Sequence, residues 1–295
     1  MSAAPPPSAP EAPLLFGCDF SSAPGPRKPV VVALGRRAGS VVRLGEVLRF
    51  PTLGGFGDWL AAPGDWLGGF DLPFGLPREL VEALGWPRDW PACMDHYAAL
   101  PREAIRATFA AFCAARPVGG KFAHRRTDGP AGSSPSMKWV NPPVAFMLHA
   151  GVPLLRAAGA HLVGVEPPAP HARKVALEAY PGLLAREVLG RRSYKSDDRA
   201  KQTPDRLIAR KDLLAALETG AGPAGPLGIG LRLQLRPSQH DALVADASGD
   251  TLDAVLCLLQ AAWGDRARAA AVPDFGLPPD VDRLEGWIVT ADATK

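Results

Sequence analysis

Three apolar, strand-like runs in this chain end on a carboxylate. Leu14-Leu15-Phe16-Gly17-Cys18 closes on Asp19, Trp66-Leu67-Gly68-Gly69-Phe70 closes on Asp71, and Lys174-Val175-Ala176-Leu177 is followed by Glu178. A fourth acidic feature, Asp250 and Asp253, opens an apolar helical stretch with its two members three residues apart. A carboxylate at the tip of a buried strand costs several kcal/mol to desolvate unless something offsets it. Repeating that choice at dispersed points of the sequence implies a shared offset, and a divalent cation is the simplest one. The chain is thereby constrained to a fold that brings several strand ends and one helix start together.

The periodicities fit such a fold. Leu14–Asp19, Lys28–Leu34 and Val41–Phe50 read as strands of an antiparallel meander, with a turn at Arg36-Arg37-Ala38-Gly39. Helices are expected at 57–62 and 77–84, with a fourth strand, Trp66–Asp71, between them. Residues 101–115 and 142–155 read as helices, the second interrupted at Pro153. Strands follow at 161–166 and 174–179, helices at 181–189, 204–217, 238–247 and 250–263, and a last short strand at 287–289. A Gly/Pro-rich loop is expected at 220–230. Strands alternating with helices in this order predict an α/β fold, an RNase H-like mixed sheet flanked by helices. The domain would run from 14 to 290, with a helical insertion at about 86–160 and tails at 1–13 and 291–295.

Composition adds charge distribution. The net charge of the 295 residues is only +3, but residues 86–145 and 186–212 each carry a net +4 while 213–295 carry −5. A basic middle beside an acidic last third suits a protein that grips a polyanion next to an acidic metal site, although solvated helix faces would produce the same counts. The four cysteines form no CxxC pair, so structural zinc is not expected. No apolar run reaches the roughly 18 residues of a membrane span. The Pro-rich start reads as a disordered tail without the apolar core of a signal peptide, which makes the cytoplasm the expected address.

Several short stretches carry a resemblance. Gly17-Cys18-Asp19-Phe20-Ser21-Ser22, Gly69-Phe70-Asp71-Leu72-Pro73-Phe74-Gly75-Leu76-Pro77, Glu178-Ala179-Tyr180-Pro181, Asp253-Ala254 and Glu285-Gly286-Trp287-Ile288 resemble, in that order, the domain of unknown function 429 family over roughly residues 14–290. That resemblance implies an RNase H-like nuclease. The Asp250-Thr251-Leu252-Asp253-Ala254 spacing also looks like the last helix of Holliday-junction resolvases of this fold. Those enzymes carry Glu on the fourth strand, where this chain has the shorter Asp71.

The expected activity is therefore phosphodiester hydrolysis of DNA or RNA with Mg2+ or Mn2+. Asp19, Asp71, Glu178 and Asp253 are the catalytic candidates, and Asp19, Asp71, Asp250 and Asp253 the metal ligands. Taken singly, Asp19 also reads as a turn residue, and Asp71, Glu178 and Asp250 as caps. Lys121, Arg125, Arg126, Lys138, Trp139 and Lys195 are candidates for nucleic-acid contact, with Trp139 as a stacking ring. Two other classes stay open. One is a non-catalytic binding or scaffold module. The other is an actin-like ATPase or kinase, whose phosphate loop would have to be the Gly220–Gly230 stretch.

Overall fold

A computed structural model describes residues 13–293. Most of the expected N-terminal tail (1–12) and the end of the C-terminal one (294–295) lie outside the described residues. The chain forms, in order, β1 (Leu14–Asp19), β2 (Val30–Ala38), β3 (Val41–Phe50), α1 (Leu53–Ala61), β4 (Trp66–Asp71), α2 (Arg78–Ala83), α3 (Trp90–Ala99), α4 (Arg102–Ala114), α5 (Asp128–Ala131) and α6 (Val144–Ala157). It continues with β5 (His161–Leu162), β6 (Lys174–Glu178), α7 (Pro181–Leu189), α8 (Pro204–Thr219), a small hairpin β7 (Ala221–Gly222) and β8 (Gly225–Pro226), β9 (Arg232–Gln234), α9 (Pro237–Ala245) and α10 (Asp250–Ala269).

Seven strands form one mixed sheet in the order β5-β6-β4-β1-β2-β3-β9. β1, β2 and β3 pair antiparallel; β4 pairs parallel with β1, and β6 parallel with β4. β1 and β4 read as unbroken apolar runs because both of their faces are covered. Leu15, Val31, Ala33, Leu67, Val175 and Leu177 face a layer of α7, α8 and α10. Phe16, Cys18, Val30, Val32, Phe70 and Ala176 face a second core built from α1, α2, α3, α4 and α6. The segment expected as an insertion, 86–160, supplies α3, α4 and α6 to that second core beside α1 and α2.

α10 lies across β1, β2 and β4, and glycine makes that approach possible. A Cβ at Gly17 would overlap the backbone of Leu258 and Ala254, and one at Gly69 would come within 2.5 Å of the Cys257 carbonyl oxygen. Gly17 and Gly69 are register partners, so a side chain is missing from both central strands where the helix crosses them.

Several expectations need correction. β2 runs on to Ala38, so Arg36 and Arg37 belong to a strand and the turn moves to Gly39-Ser40. α6 continues through Pro153; a proline there costs one intrahelical bond, which the packing of Phe146, Leu148, Val152 and Leu155 outweighs. The strand expected at 161–166 stops after two residues, since Gly164 turns away with φ 89°. Residues 287–289 join no strand and dock instead on the end of β6, where the Val289 N–H donates to the Glu178 carbonyl at 2.9 Å. α3 and β9 were not anticipated. Among the described residues no helix is long and apolar enough to cross a membrane.

Candidate metal centre

Asp19 and Asp71 are register partners at the ends of β1 and β4. In a parallel pair, residues in register project to the same face, so both carboxylates lie on the side covered by α10. They stand two residues beyond Gly17 and Gly69, where that helix comes closest, and its first turn delivers Asp253 to the same point. Asp19, Asp71 and Asp253 each offer an oxygen, and the three oxygens lie within 4.8 Å of one another. Asp253 is fully enclosed, while Asp19 and Asp71 keep some solvent exposure.

The start of α10 is held by residues outside the cluster. Asp250, expected at or near the cap, is the first residue of the helix, and Gly249 occupies the cap position with φ 78°. The cap oxygens come from Asp246, which accepts from the Thr251 N–H at 2.9 Å and the Gly249 N–H at 3.2 Å. Asp250, expected as a metal ligand, is turned instead to Lys28, whose ammonium spans Asp250 at 2.8 Å and Asp197 at 2.7 Å. The helix N-terminus favours the negative charge of both acids in its first turn.

Two neighbouring side chains close on Asp253. Tyr194 donates its hydroxyl to one carboxylate oxygen and the Lys195 ammonium contacts the other. Lys195 was expected as a phosphate contact; Tyr194 was not anticipated, although it is one of only three tyrosines and directly precedes Lys195. With all groups ionised, Asp19, Asp71, Asp250 and Asp253 outnumber Lys28 and Lys195, and Lys28 is shared with Asp197 as well, so negative charge is in excess. Burial and that excess together oppose ionisation of the acids. Burial, then repulsion from Asp253, lifts the Asp71 carboxyl to about 7 against the partial opposition of Lys195. Burial, followed by Asp253 and Asp71, holds Asp19 well above the usual carboxylate range. Burial tends to lower the Lys195 ammonium, but Asp253 and Asp19 outweigh it and keep Lys195 charged.

Glu178 is not part of this cluster. Its register partner is Phe70, not Asp71, so its carboxylate emerges on the opposite face of the sheet. There it accepts from the Phe74 N–H at 2.9 Å and from the Arg125 guanidinium at 2.7 and 2.9 Å. Arg125 also binds Asp128 at 3.0 and 3.1 Å and the Glu285 carbonyl at 3.1 Å. Arg125, Asp128 and Glu178 are all at most 3% exposed. Arg125, expected to meet a phosphate, is therefore a buried structural cation. An ion pair this deep is worth little against an apolar equivalent but strongly destabilising to break. The network ties β6 to the loop after β4 and to the segment around Glu285, whose carboxylate takes the Arg78 and Arg126 N–H groups at 2.8 Å each.

The other candidates for nucleic-acid contact make no hydrogen bond or ion pair with the three acids. Arg126 pairs with Asp280 at 2.7 Å on the surface. Trp139 is half-buried with its ring 5.8 Å from that of Phe122, packed against the second core. Lys121 is exposed and Lys138 half-exposed. The Gly220–Gly230 stretch folds into the β7–β8 hairpin, and the Gly228 N–H is already taken by the Glu187 carboxylate at 2.5 Å. An acid in that position is the opposite of a phosphate cradle.

Beside the acids lies a cavity of about 380 Å³ that shares Asp71, Tyr194 and Lys195 with them. No family model, curated protein or solved structure matches this chain.

Proposed function

We propose that this chain is a divalent-metal-dependent phosphodiesterase of the RNase H-like group, acting on nucleic acid. One observation carries it: three carboxylates from two adjacent strand ends and a helix start offer oxygens within 4.8 Å of one another, with more negative charge than the surrounding lysines cancel. An all-oxygen donor set of this kind suits Mg2+ or Mn2+. The antiparallel β3-β2-β1 meander continued by parallel β4 and β6 and the short motifs around Asp19, Asp71 and Asp253 support the RNase H-like assignment. Asp19, Asp71 and Asp253 would hold the cation, which when bound supplies Lewis-acid polarisation of a phosphoryl oxygen. A cation on Asp253 would free Lys195 from that carboxylate to meet a phosphodiester. Manganese titration by calorimetry, followed by assays on branched, single-stranded and RNA–DNA hybrid substrates, tests the proposal. Absence of binding at millimolar manganese refutes it.

The acids also predict how metal and pH interact. An Asp71 carboxyl at about 7 when folded and about 3.9 when unfolded keeps a proton between those values that the unfolded chain has lost. The metal-free protein therefore loses stability as pH rises from about 4 to about 7, by at most about 4 kcal/mol for this group, less with solvent screening. Manganese relieves the ionised cluster, so the manganese-induced rise in Tm is expected to be larger at pH 8 than at pH 5. Equal increments, read by differential scanning fluorimetry, would count against the cluster as the binding site.

A second reading, a non-catalytic scaffold, is favoured by Lys195, because its ammonium already neutralises Asp253 from within the chain. Lys195→Met separates the two. If Lys195 competes with a metal, the variant binds manganese about tenfold more tightly, equivalent to about 1.4 kcal/mol. If Lys195 is the permanent counter-ion of a scaffold, the variant is destabilised and binds no manganese.

A further inference from the structure

We infer that the cavity beside the carboxylates is a pocket for one unstacked nucleobase, so that the substrate is single-stranded or locally unpaired next to the phosphate that is cut. This holds only if the acids bind metal, as proposed above. The hollow runs from Asp71 and Lys195, at the edge of the acid cluster, to a mainly apolar wall. Val144 and Met147 provide part of that wall; three residues apart on α6, they share one helix face and are both only half-buried. The half-buried ring of Tyr180 lines it too, with the Arg186 guanidinium 5.3 Å from the ring centre.

Size and chemistry together select the occupant. About 380 Å³ lies at the small end of pockets for single small molecules and excludes a duplex. Apolar and aromatic walls suit a flat group that has left its stack, as in enzymes that read extruded bases. Of the two cations that line the cavity, Arg125 is buried on Asp128 and Glu178, whereas Lys195 is held by Asp253 alone and is released toward a ligand once a metal takes that carboxylate. A nucleotide fits this arrangement, with a planar base for the hollow and an anionic phosphate for Lys195. Ser134 also lines the hollow, and a serine hydroxyl can meet a base edge.

The test uses the full chain with saturating manganese and compares AMP and UMP with ribose 5-phosphate by calorimetry. Ribose 5-phosphate offers the same anion without a base. At least one nucleotide is expected to bind about tenfold or more tightly than the sugar phosphate, the usual scale for stacking one base. Met147→Trp fills the hollow and is expected to abolish that preference while leaving manganese affinity unchanged. Val144→Phe, a smaller intrusion on the same helix face, replaces it if the first variant does not fold. Equal affinity for nucleotides and ribose 5-phosphate, no nucleotide binding at millimolar concentration, or a preference that survives filling would overturn the pocket. Any of these with manganese still bound leaves the phosphodiesterase proposal standing, whereas wild type that binds no manganese removes both.

Discussion

Asp19→Asn is expected to leave the protein folded, raise its metal-free stability and remove manganese binding. Asp19 sits at the end of the central strand between Asp71, its register partner, and Asp253. Asparagine keeps the shape and one oxygen but deletes one of the charges that make the cluster repulsive. Burial and two neighbouring acids oppose ionisation at this position, so the neutral side chain fits the metal-free protein better at pH 8. The same change removes a charged ligand. Manganese affinity is expected to fall by about a hundredfold or more, about 2.7 kcal/mol, and any manganese-dependent cleavage to fall by about three orders of magnitude. Calorimetry and thermal melts with and without manganese read both effects. Unchanged affinity would mean that the metal, if any, binds elsewhere. A fall in metal-free Tm at pH 8 would show that Asp19 is compensated in a way the ion pairs do not account for.

The second large effect lies at Gly17. Alanine there puts a methyl group into the backbone of α10 at Ala254 and Leu258, and backbone cannot yield as a flexible side chain does. Overpacking ordinarily costs about 1–3 kcal/mol. Two rigid backbone partners place Gly17→Ala at or beyond the upper end, about 3–5 kcal/mol by urea unfolding. Because Asp253 lies on the same helix, one residue before Ala254, lifting α10 also separates the acids, and manganese affinity should drop in whatever fraction remains folded. A cost below about 1 kcal/mol would mean that α10 is not seated on β1 as described.

Much of this was legible in the sequence, for identifiable reasons. β1, β4 and α7 were read from apolar runs bounded by Gly, Pro and charge, and Asp19, Asp71 and Asp253 from the cost of burying a carboxylate. Glu178 followed the same local pattern yet faces away, since strand register is a long-range property that one residue of offset reverses. Arg125 looked like a surface cation because its partners, Asp128 apart, lie 53 and 160 residues away in sequence. α3 leaves a local trace in the sequence: Trp90, Cys93, Met94 and Tyr97 are its buried residues, at helical spacing, and Asp89 caps it by accepting from the Ala92 N–H. β9, at three residues, is too short to show a period and exists because β3 offers it an edge.

The in-register pairing of β1 and β4 gives the three acids unequal mechanical status. Asp19 and Asp71 ride on adjacent strands of one sheet, whose separation is fixed by ladder hydrogen bonds at about 4.8 Å; they form a stationary jaw. Asp253 rides instead on a helix, and a helix packed on a sheet can slide or tilt more readily than two paired strands can part. Its position depends on the glycine track beneath α10 and on the Asp246 cap at its start. Changes along that track would adjust the spacing of the three carboxylates and leave the strand ends untouched.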